Sequence, residues 1–328
     1  MTKLLNYNLQ LFAEMNTNTT GSAGLSEEMK TYYSDYLIDN AIPKLVHDQF
    51  GQKHPIPKNG GKTIQFRKYS PLPKLTVALQ EGVTPDGQSL NMSVIEATVA
   101  QYGGYVTLSD ILLLTAIDNN LVQATKLLGS QAGATLDTIT REVLVGGTNA
   151  IYAGGKSARG DLDASSLLTV DDIKKAVRKL KSQNAEKING DWVCIIHPDI
   201  SYDLTNDPAW KDVKTYSDPS DMYEGEIGKL FGVRFVETTE AKIWKGAGAG
   251  GRDVYSTLVL GDNAYGVTEI TGGGLEHIVK QLGSAGTGDP LNQRATAGWK
   301  GTKVAERLVE QYMVRIDSCS TFNEGKGN

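Results

Sequence analysis

The sequence predicts an α+β fold built around one long helix, and three observations support this. A proline-free segment, Ser109–Gly147, repeats apolar residues at the spacing of one helix face. Before it, residues 62–108 alternate in the manner of two extended strands. After it, residues 169–290 mix short amphipathic helices with apolar strands. At 328 residues, the chain is long enough for two domains or for one elaborated domain.

The long helix is predicted from steps of three and four residues along its apolar stripe. Ser109 is a plausible N-cap, and Gly146 and Gly147 supply the stop. A helix of about 35 residues would be about 50 Å long, with a possible bend at Gly129 and Gly133. The residues predicted to face the core are Ile111, Leu114, Ile117, Leu121, Thr125, Leu128, Ala132, Leu136, Ile139 and Val143.

The preceding extended segment is predicted to be a two-stranded hairpin. Its strands lie around Ile64–Tyr69 and Met92–Thr107, and the TPDG sequence at residues 84–87 marks a turn between them. Isolated hairpins are marginally stable in water, so an arm with few large apolar residues near its tip is expected to lie on a partner. A loop folded back on its own domain is the alternative.

The following α/β unit begins with a helix capped by Thr169, with Asp172 completing a capping box. The run at residues 192–197, WVCIIH, is predicted to be a buried strand, and Pro198 to open a helix. Residues 299–318 are predicted to be a last extended segment. The first of these helices carries five cations, for which a solvated face is favoured over contact with a phosphate backbone: Lys174, Lys175, Arg178, Lys179 and Lys181.

Composition narrows the function classes. The net charge of −5 provides no global basic field to hold nucleic acid or an anionic membrane. Two cysteines, Cys194 and Cys319, do not make a disulfide framework and indicate a reducing compartment. No apolar run approaches 18 residues, and the N-terminus lacks a clean signal-peptide core, so no membrane association is expected.

Candidate catalytic and binding motifs are incomplete. The run Gly246–Gly251 satisfies G-x-G-x-x-G, but a strand-like sequence follows it where a dinucleotide site needs a helix, which favours a flexible loop. Two Walker-like endings, at Lys62 and Lys156, lack the glycine six residues earlier. A calcium-like pattern from Asp161 to Asp172 lacks the glycine and the glutamate it requires. His47 and His54 are expected to be surface or hydrogen-bonded side chains. The sequence therefore predicts no enzyme, and no catalytic, cofactor-binding or metal-ligating residue.

Three segments resemble one known family. They are IIHPDISYDLTNDPAWK at 195–211, YEGEIGKLFGVRFVETTEAKIW at 223–244 and AGWKGTKVAERLVEQYMVRID at 297–317. The sequence is similar to the major capsid proteins of tailed bacteriophages with the Hong Kong 97-type fold, and the order of elements matches over essentially the whole chain. The resemblance implies an N-terminal arm at 1–61, an E-loop at 62–108, a P-domain with the spine helix at 109–168 that 291–328 complete, and an A-domain at 169–290.

The resemblance also implies a function. Copies of the chain would form pentamers and hexamers that close into an icosahedral shell around double-stranded DNA, without strong specific binding to it. The expected partners are a separate scaffolding protein, a portal protein and a possible decoration protein. The shell would assemble in the host bacterial cytoplasm and become part of the virion. An encapsulin-like nanocompartment shell is the alternative, and a nucleotide-binding enzyme using Gly246–Gly251 is a second one.

Overall fold

The computed structural model describes residues 17–19, 46–78, 81, 82, 84, 86–115, 120–211, 228–271, 273–284, 286–323, 325, 327 and 328. The chain divides into two compact units, each formed by separated stretches of sequence. The first comprises Met1–Leu45, Gln101–Thr135 and Gly273–Thr302. The second comprises Val46–Ala100, Leu136–Gly272 and Lys303–Asn328.

The first unit contains strands and helices drawn from three distant parts of the sequence. Strand β1 (Thr17–Thr19) pairs in parallel with the end of β5 (Ala100–Ser109). Strand β13 (Glu276–Lys280) pairs antiparallel with the first half of β14 (Arg294–Arg307). Helix α1 (Asp110–Thr115) follows β5 directly, and the first part of α2 (Asn120–Val145) completes the unit.

The long predicted helix is present as α1 and α2, and residues 116–119 between them lie outside the described part of the chain. Helix α2 continues through Gly129 and Gly133, both of which are buried. The predicted stripe is confirmed in its central part, where these residues are buried: Leu121, Thr125, Leu128, Ala132 and Leu136.

At the start of the stripe the prediction is wrong. Ile111 and Leu114 are 63% and 74% exposed, and Leu113 is the buried residue of α1. Ile117 lies outside the described residues, while Ile139 and Val143 are half-buried. The face of α1 that packs on the core is therefore not the one obtained by extending the α2 repeat backwards.

The core of the first unit forms between β5, β14 and the helices. Leu108, Leu128, Ala132 and Trp299 belong to one buried apolar cluster. The indole Nε1 of Trp299 donates a hydrogen bond to Gln131 Oε1 at 3.1 Å. A Cβ placed on Gly103 would lie 2.6 Å from the carbonyl oxygen of Trp299, so only glycine fits this close approach of two backbones.

The second unit is centred on a seven-stranded sheet. Its strands are β6 (Ala150–Tyr152), β7 (Trp192–Ile196), β8 (Lys229–Leu230), β9 (Val233–Glu237), β10 (Ile243–Trp244), β11 (Val254–Leu260) and β15 (Met313–Ser318). They are arranged in the order β6-β15-β11-β7-β9-β8, and β10 pairs with β11.

Further strands of this unit lie outside that sheet. Strand β12 (Tyr265–Thr268) pairs in parallel with β2 (Gln52–Lys53) and antiparallel with the second half of β14. Strands β3 (Thr63–Tyr69) and β4 (Met92–Thr98) form a separate two-stranded hairpin.

Two helices of this unit start where the sequence predicts. Helix α3 (Val170–Ser182) has Thr169 as its N-cap and a complete capping box with Asp172. Its predicted apolar face is buried, and the five cations are exposed or partly exposed. Helix α4 (Pro198–Asn206) has proline in its first turn and follows the fully buried strand β7, which confirms both predictions.

The seven-stranded sheet combines strands from three of the domain segments that the sequence predicts. Strand β6 comes from the predicted 109–168 segment and β15 from the 291–328 segment, yet both belong to the seven-stranded sheet with strands of 169–290. Strand β13, from 169–290, instead pairs with β14. The predicted extended segment 299–318 is two strands separated by a 3₁₀ turn at Glu310–Tyr312.

A buried polar cluster joins residues just before the hairpin to α2. His47 Nδ1 lies 2.6 Å from Asp137 Oδ2, and the backbone N–H of His47 donates to Asp137 Oδ1 at 2.8 Å. Lys303 pairs with Asp48 and donates to the carbonyl of Leu136. Burial lowers the pKa of Lys303, and the Asp48 carboxylate opposes that change. Of the two expectations for His47, a surface or a hydrogen-bonded side chain, the second holds at Nδ1, and the side chain is buried.

Candidate assembly surface

The hairpin of β3 and β4 has a well-defined stem. The strands pair over seven residues on each side, from Thr63 opposite Thr98 to Tyr69 opposite Met92. Cross-strand side-chain hydrogen bonds reinforce the stem, including Gln65 Nε2 to Glu96 Oε1 at 2.6 Å. The predicted two-stranded arm is thus confirmed for the strands Thr63–Tyr69 and Met92–Thr98, whereas the chain from Ala100 to Ser109 forms the separate strand β5.

One face of the stem packs on its own unit. Ile64 lies opposite Ala97, and Phe66 opposite Ile95, so these four side chains share a face. Ala97 is 3% exposed and the other three are half-buried. Phe66 lies against the backbone of Gly266, where an added Cβ would be 3.3 Å from its ring. This face anchors the base of the hairpin.

The tip beyond the stem exposes large apolar side chains. Ser70 N–H donates to the carbonyl of Asn91 at 2.9 Å, which closes the base of the tip. Within the tip, described residues 71–78 and 86–90 form no helix or strand. Four aliphatic side chains there are 50–86% exposed: Leu72, Leu75, Val77 and Leu90. Clustered exposed apolar surface of this kind is typical of a protein–protein contact.

A second exposed apolar surface lies in the first unit. Ile111 and Leu291, which is 75% exposed, line a shallow cleft of about 450 Å³ together with Asp289 and Pro290. Leu114, one turn along α1, is also exposed. The sequence placed Ile111 and Leu114 in the core, and so missed this surface.

A third surface lies in the second unit beside the start of α3 and the end of α4. It is a cleft of about 660 Å³ whose walls include Thr169, Tyr202, Asp207 and Phe322. The rings of Tyr202 and Phe322 meet edge to face with centroids 5.4 Å apart, and both are more than 40% exposed. The Asp207 carboxylate is already engaged, because it accepts a hydrogen bond from the Val170 N–H at 2.9 Å.

The glycine-rich run 246–251 is an ordered turn followed by β11, which confirms the predicted strand. Its N–H groups are used within the chain. Gly248 N–H donates to Arg252 O at 2.9 Å, Ala249 N–H to Leu162 O at 2.8 Å, and Gly246 N–H to Asp253 Oδ1 at 2.9 Å. A dinucleotide site needs such donors free at a helix N-terminus, so this turn does not have that geometry.

Gly248→Ser should destabilise the second unit by about 1–3 kcal/mol because the added Cβ is overpacked. That atom would lie 2.8 Å from Leu162 O and 3.2 Å from Arg252 O, both backbone atoms. The sequence favours a flexible loop here, whereas these two close backbone contacts indicate a tightly packed turn at Gly248. Chemical denaturation measures the effect, with the exposed Ala249→Ser as control. Equal midpoints for the two variants would contradict the prediction.

The calcium-like aspartates have local structural roles. Asp163 Oδ1 accepts from the N–H and the hydroxyl of Ser165, at 2.9 and 2.6 Å, and Asp163 Oδ2 pairs with Lys156. The hydrogen bond from Lys156, together with those from Ser165, lowers the pKa of the Asp163 carboxyl. Asp172 belongs to the helix cap. Within the described residues, no three histidine, cysteine or acidic side chains come together as metal ligands would.

Both cysteines are buried and unpaired. Burial raises the pKa of the Cys194 thiol, so at neutral pH it is a protonated core side chain. Among the described helices, none has the length and apolar character to cross a membrane.

Comparison with known proteins gives one family and several solved structures. A family model described as phage capsid protein matches residues 93–309. The cyanophage Pam1 capsid superposes with a TM-score of 0.69 at 14% identity, over 98% of this chain and 100% of that chain. The capsid of cyanophage P-SCSP1u gives 0.65 at 14% identity, over 84% and 88%. The capsid of Ralstonia phage GP4 gives 0.65 at 14%, over 86% and 90%. No curated protein sequence matches the chain.

Proposed function

The chain belongs to the phage capsid protein family, and from this premise we propose that its copies form pentamers and hexamers that close into an icosahedral shell around double-stranded DNA. It is a major capsid protein with a Hong Kong 97-like fold. The observation that carries the proposal is the hairpin, whose stem is anchored on its own subunit and whose tip leaves four aliphatic side chains exposed. Its task is structural, and no catalytic step belongs to it.

The hairpin is the proposed lapping arm of the shell. An exposed apolar tip raises the free energy of an isolated subunit and lowers it once a neighbour covers the tip. Prolines at 71 and 73 limit continuous edge-to-edge strand pairing, which favours a specific contact over aggregation. Each subunit both offers an arm and receives one, so the contact is head-to-tail, and such contacts close into rings when the rotation between neighbours completes a circle.

The domain assignment made from sequence remains part of the proposal. Residues 1–61 are the N-terminal arm, 62–108 the E-loop and 169–290 the A-domain. Residues 109–168 form the P-domain with the spine helix, completed by 291–328. The sheet membership of β6, β13 and β15 shows how closely these sequence segments are interwoven in the fold.

The proposed partners follow from the shell. A separate scaffolding protein would guide closure, a portal protein would occupy one vertex, and a decoration protein could bind outside. Assembly would take place in the host bacterial cytoplasm. The net charge of −5 is consistent with a coat that encloses DNA without gripping it. The match to the phage capsid protein family favours a phage capsid over a nanocompartment shell.

Electron microscopy of the purified protein, expressed with its scaffolding protein, tests the proposal. We expect closed, icosahedral particles of uniform diameter. Particles purified from infected cells should contain double-stranded DNA; filling with an enzyme would instead indicate a nanocompartment. A protein that stays monomeric at high concentration under both conditions would overturn the assignment.

A further inference from the structure

A lysine and an aspartate lie together in the interior of the second unit. Lys303 is the one buried lysine among the described residues, and its Nζ is in direct contact with Asp48 Oδ2. The two side chains are 5% and 13% exposed. They are 255 positions apart, one just before β2 and the other in the second half of β14. The fold therefore brings an amine and a carboxyl group into contact away from water.

An ion pair is a costly state for these two groups. Taking an ammonium and a carboxylate out of water loses solvation free energy that their attraction repays only in part. Burial lowers the pKa of Lys303, which increases the fraction of neutral amine, the form with a nucleophilic lone pair. Three nearby carboxylates act in the opposite direction without reversing the change: Asp48, Asp137 and Glu269. A product without charge would remove this cost.

The hydrogen bonds around the pair already suit an amide between the two side chains. Nζ of Lys303 donates to the carbonyl oxygen of Leu136 at 3.0 Å, as an amide N–H would. Oδ1 of Asp48 accepts from the Thr140 hydroxyl at 2.6 Å, as an amide carbonyl would. The other carboxyl oxygen, Oδ2, is the atom that contacts Nζ. Condensation with loss of Oδ2 would therefore leave both polar atoms of the amide with a partner.

We propose that Lys303 and Asp48 condense into an isopeptide bond within the folded subunit. The amine nitrogen attacks Cγ of Asp48, so that a Cγ–Nζ bond forms and the Cγ–Oδ2 bond breaks. The ion pair holds three protons on the nitrogen. One of them stays as the amide N–H, and two leave with Oδ2 as water. Atoms and charges balance without an oxidant or a co-reactant, and the product is neutral.

The neighbouring residues supply alignment and charge stabilisation for this reaction. Well-oriented groups of one molecule react as though each were present at about 10⁵–10⁸ M. The Thr140 hydroxyl is placed to stabilise the negative charge that develops on Oδ1 in the tetrahedral intermediate. Asp137 accepts from the His47 backbone N–H at 2.8 Å and pairs with its ring Nδ1 at 2.6 Å. These two contacts hold the segment that carries Asp48 against α2, so the reacting groups stay aligned.

The bond acts within one subunit and goes beyond the proposed function. It closes a covalent loop over 255 positions and ties the segment that enters the hairpin to β14. A cross-link restricts the unfolded chain, and the restriction increases with the length of the closed loop. The cross-linked subunit therefore resists unfolding more than one that holds only the ion pair.

Intact-mass spectrometry of the purified, folded full chain tests the proposal. We expect the wild type to be lighter than its unmodified mass by one water molecule. Trypsin should then release a branched peptide that joins residues 45–53 to residues 301–307, with the chain uncleaved after Lys303. Lys303→Arg keeps the positive charge but removes the amine, so this variant should have its full mass. Lys300→Arg makes the same change at the partly exposed ion pair with Glu276 on β14 and should keep the water loss.

Three results would overturn the proposal. One is the full mass in folded wild type after prolonged incubation at neutral pH, which would leave a buried ion pair. Another is a water loss that persists in Lys303→Arg. The third is a water loss that maps to a cyclic imide at Asp86 and Gly87, an Asp-Gly sequence in the hairpin tip. If Lys303→Arg does not fold, the peptide map of the wild type decides alone. Each of these results leaves the proposed capsid function standing, because closed particles test that function separately.

Discussion

Replacing residues 72–90 with a short Gly-Ser turn should abolish closed shells and leave the subunit folded. The replaced segment begins after the Ser70–Asn91 backbone hydrogen bond, so the strand pairs from Thr63–Thr98 to Tyr69–Met92 are retained. The anchoring face with Phe66 and Ala97 is also retained. What the change removes is the tip with its four exposed aliphatic side chains.

The physical reason is that these side chains stabilise the contact between subunits and not the fold of one subunit. In the isolated subunit they are 50–86% exposed, so half or more of each side chain's surface gains nothing from folding. Covering one large aliphatic side chain contributes about 1.5–3 kcal/mol, so four of them amount to several kcal/mol per arm contact. Repeated at every subunit, such a loss leaves no closed shell at ordinary concentrations.

Circular dichroism and thermal melting check the subunit, and electron microscopy with scaffolding protein present checks the shell. A full-length variant with Leu72, Leu75, Val77 and Leu90 changed to serine is the companion. It keeps the reach of the arm and removes only its apolar surface, and we expect it to fail in assembly as well. Normal shells from the shortened chain would contradict the assembly role of the tip, and a collapsed subunit would make the tip part of the core.

Local patterns in the sequence predicted local structure well. The alternation of Ile64 and Phe66 with polar neighbours fixed both the strand and the face that packs inward, because neighbouring side chains of a strand point to opposite sides. Thr169 and Asp172 predicted a helix start because their side chains satisfy the free N–H groups at the beginning of the helix. These effects depend only on residues a few positions apart.

Contacts between distant residues left no such signal. His47 is paired with Asp137 across 90 positions, and β6 joins β15 from the far end of the chain. No periodicity records that two strands will be neighbours. Gly248 is required by the approach of the Leu162 carbonyl, a constraint that its own sequence surroundings do not display.

The error at Ile111 and Leu114 has a different origin. The prediction assumes that one helical repeat continues from α1 into α2. Helical periodicity indicates which residues share a face, but it does not determine which face meets the core. In α1 the core contact falls on Leu113. This error also hides one of the exposed apolar surfaces from the sequence-based prediction, because Ile111 lines it and Leu114 lies exposed on the same helix.

Leu128→Asp should unfold the first unit, whereas Leu127→Asp at the preceding position should not. Leu128 is 3% exposed in the apolar cluster with Leu121, Ala132 and Trp299, while Leu127 is 71% exposed on the same helix. The two variants have the same composition and place the same residue in the same turn of α2. They differ only in burial.

Removing the Leu128 side chain alone should cost about 2–5 kcal/mol in transfer and cavity terms. A carboxylate in its place adds the penalty of a buried charge without a partner, so the total loss exceeds about 4 kcal/mol. At position 127 the carboxylate stays in water, and the loss should remain below about 1 kcal/mol, mostly from helix propensity.

Chemical denaturation of the purified subunits, followed by circular dichroism and tryptophan fluorescence, measures both losses. Trp299, one of four tryptophans, lies in the cluster with Leu128, so its share of the emission reports on this core. If Leu128→Asp is insoluble, Leu128→Ala replaces it, with an expected loss of about 2–5 kcal/mol and Leu127→Ala as its control. Equal stability of the two members of either pair would mean that this face of α2 does not pack on β5 and β14, and the central element of the fold would have to be reassigned.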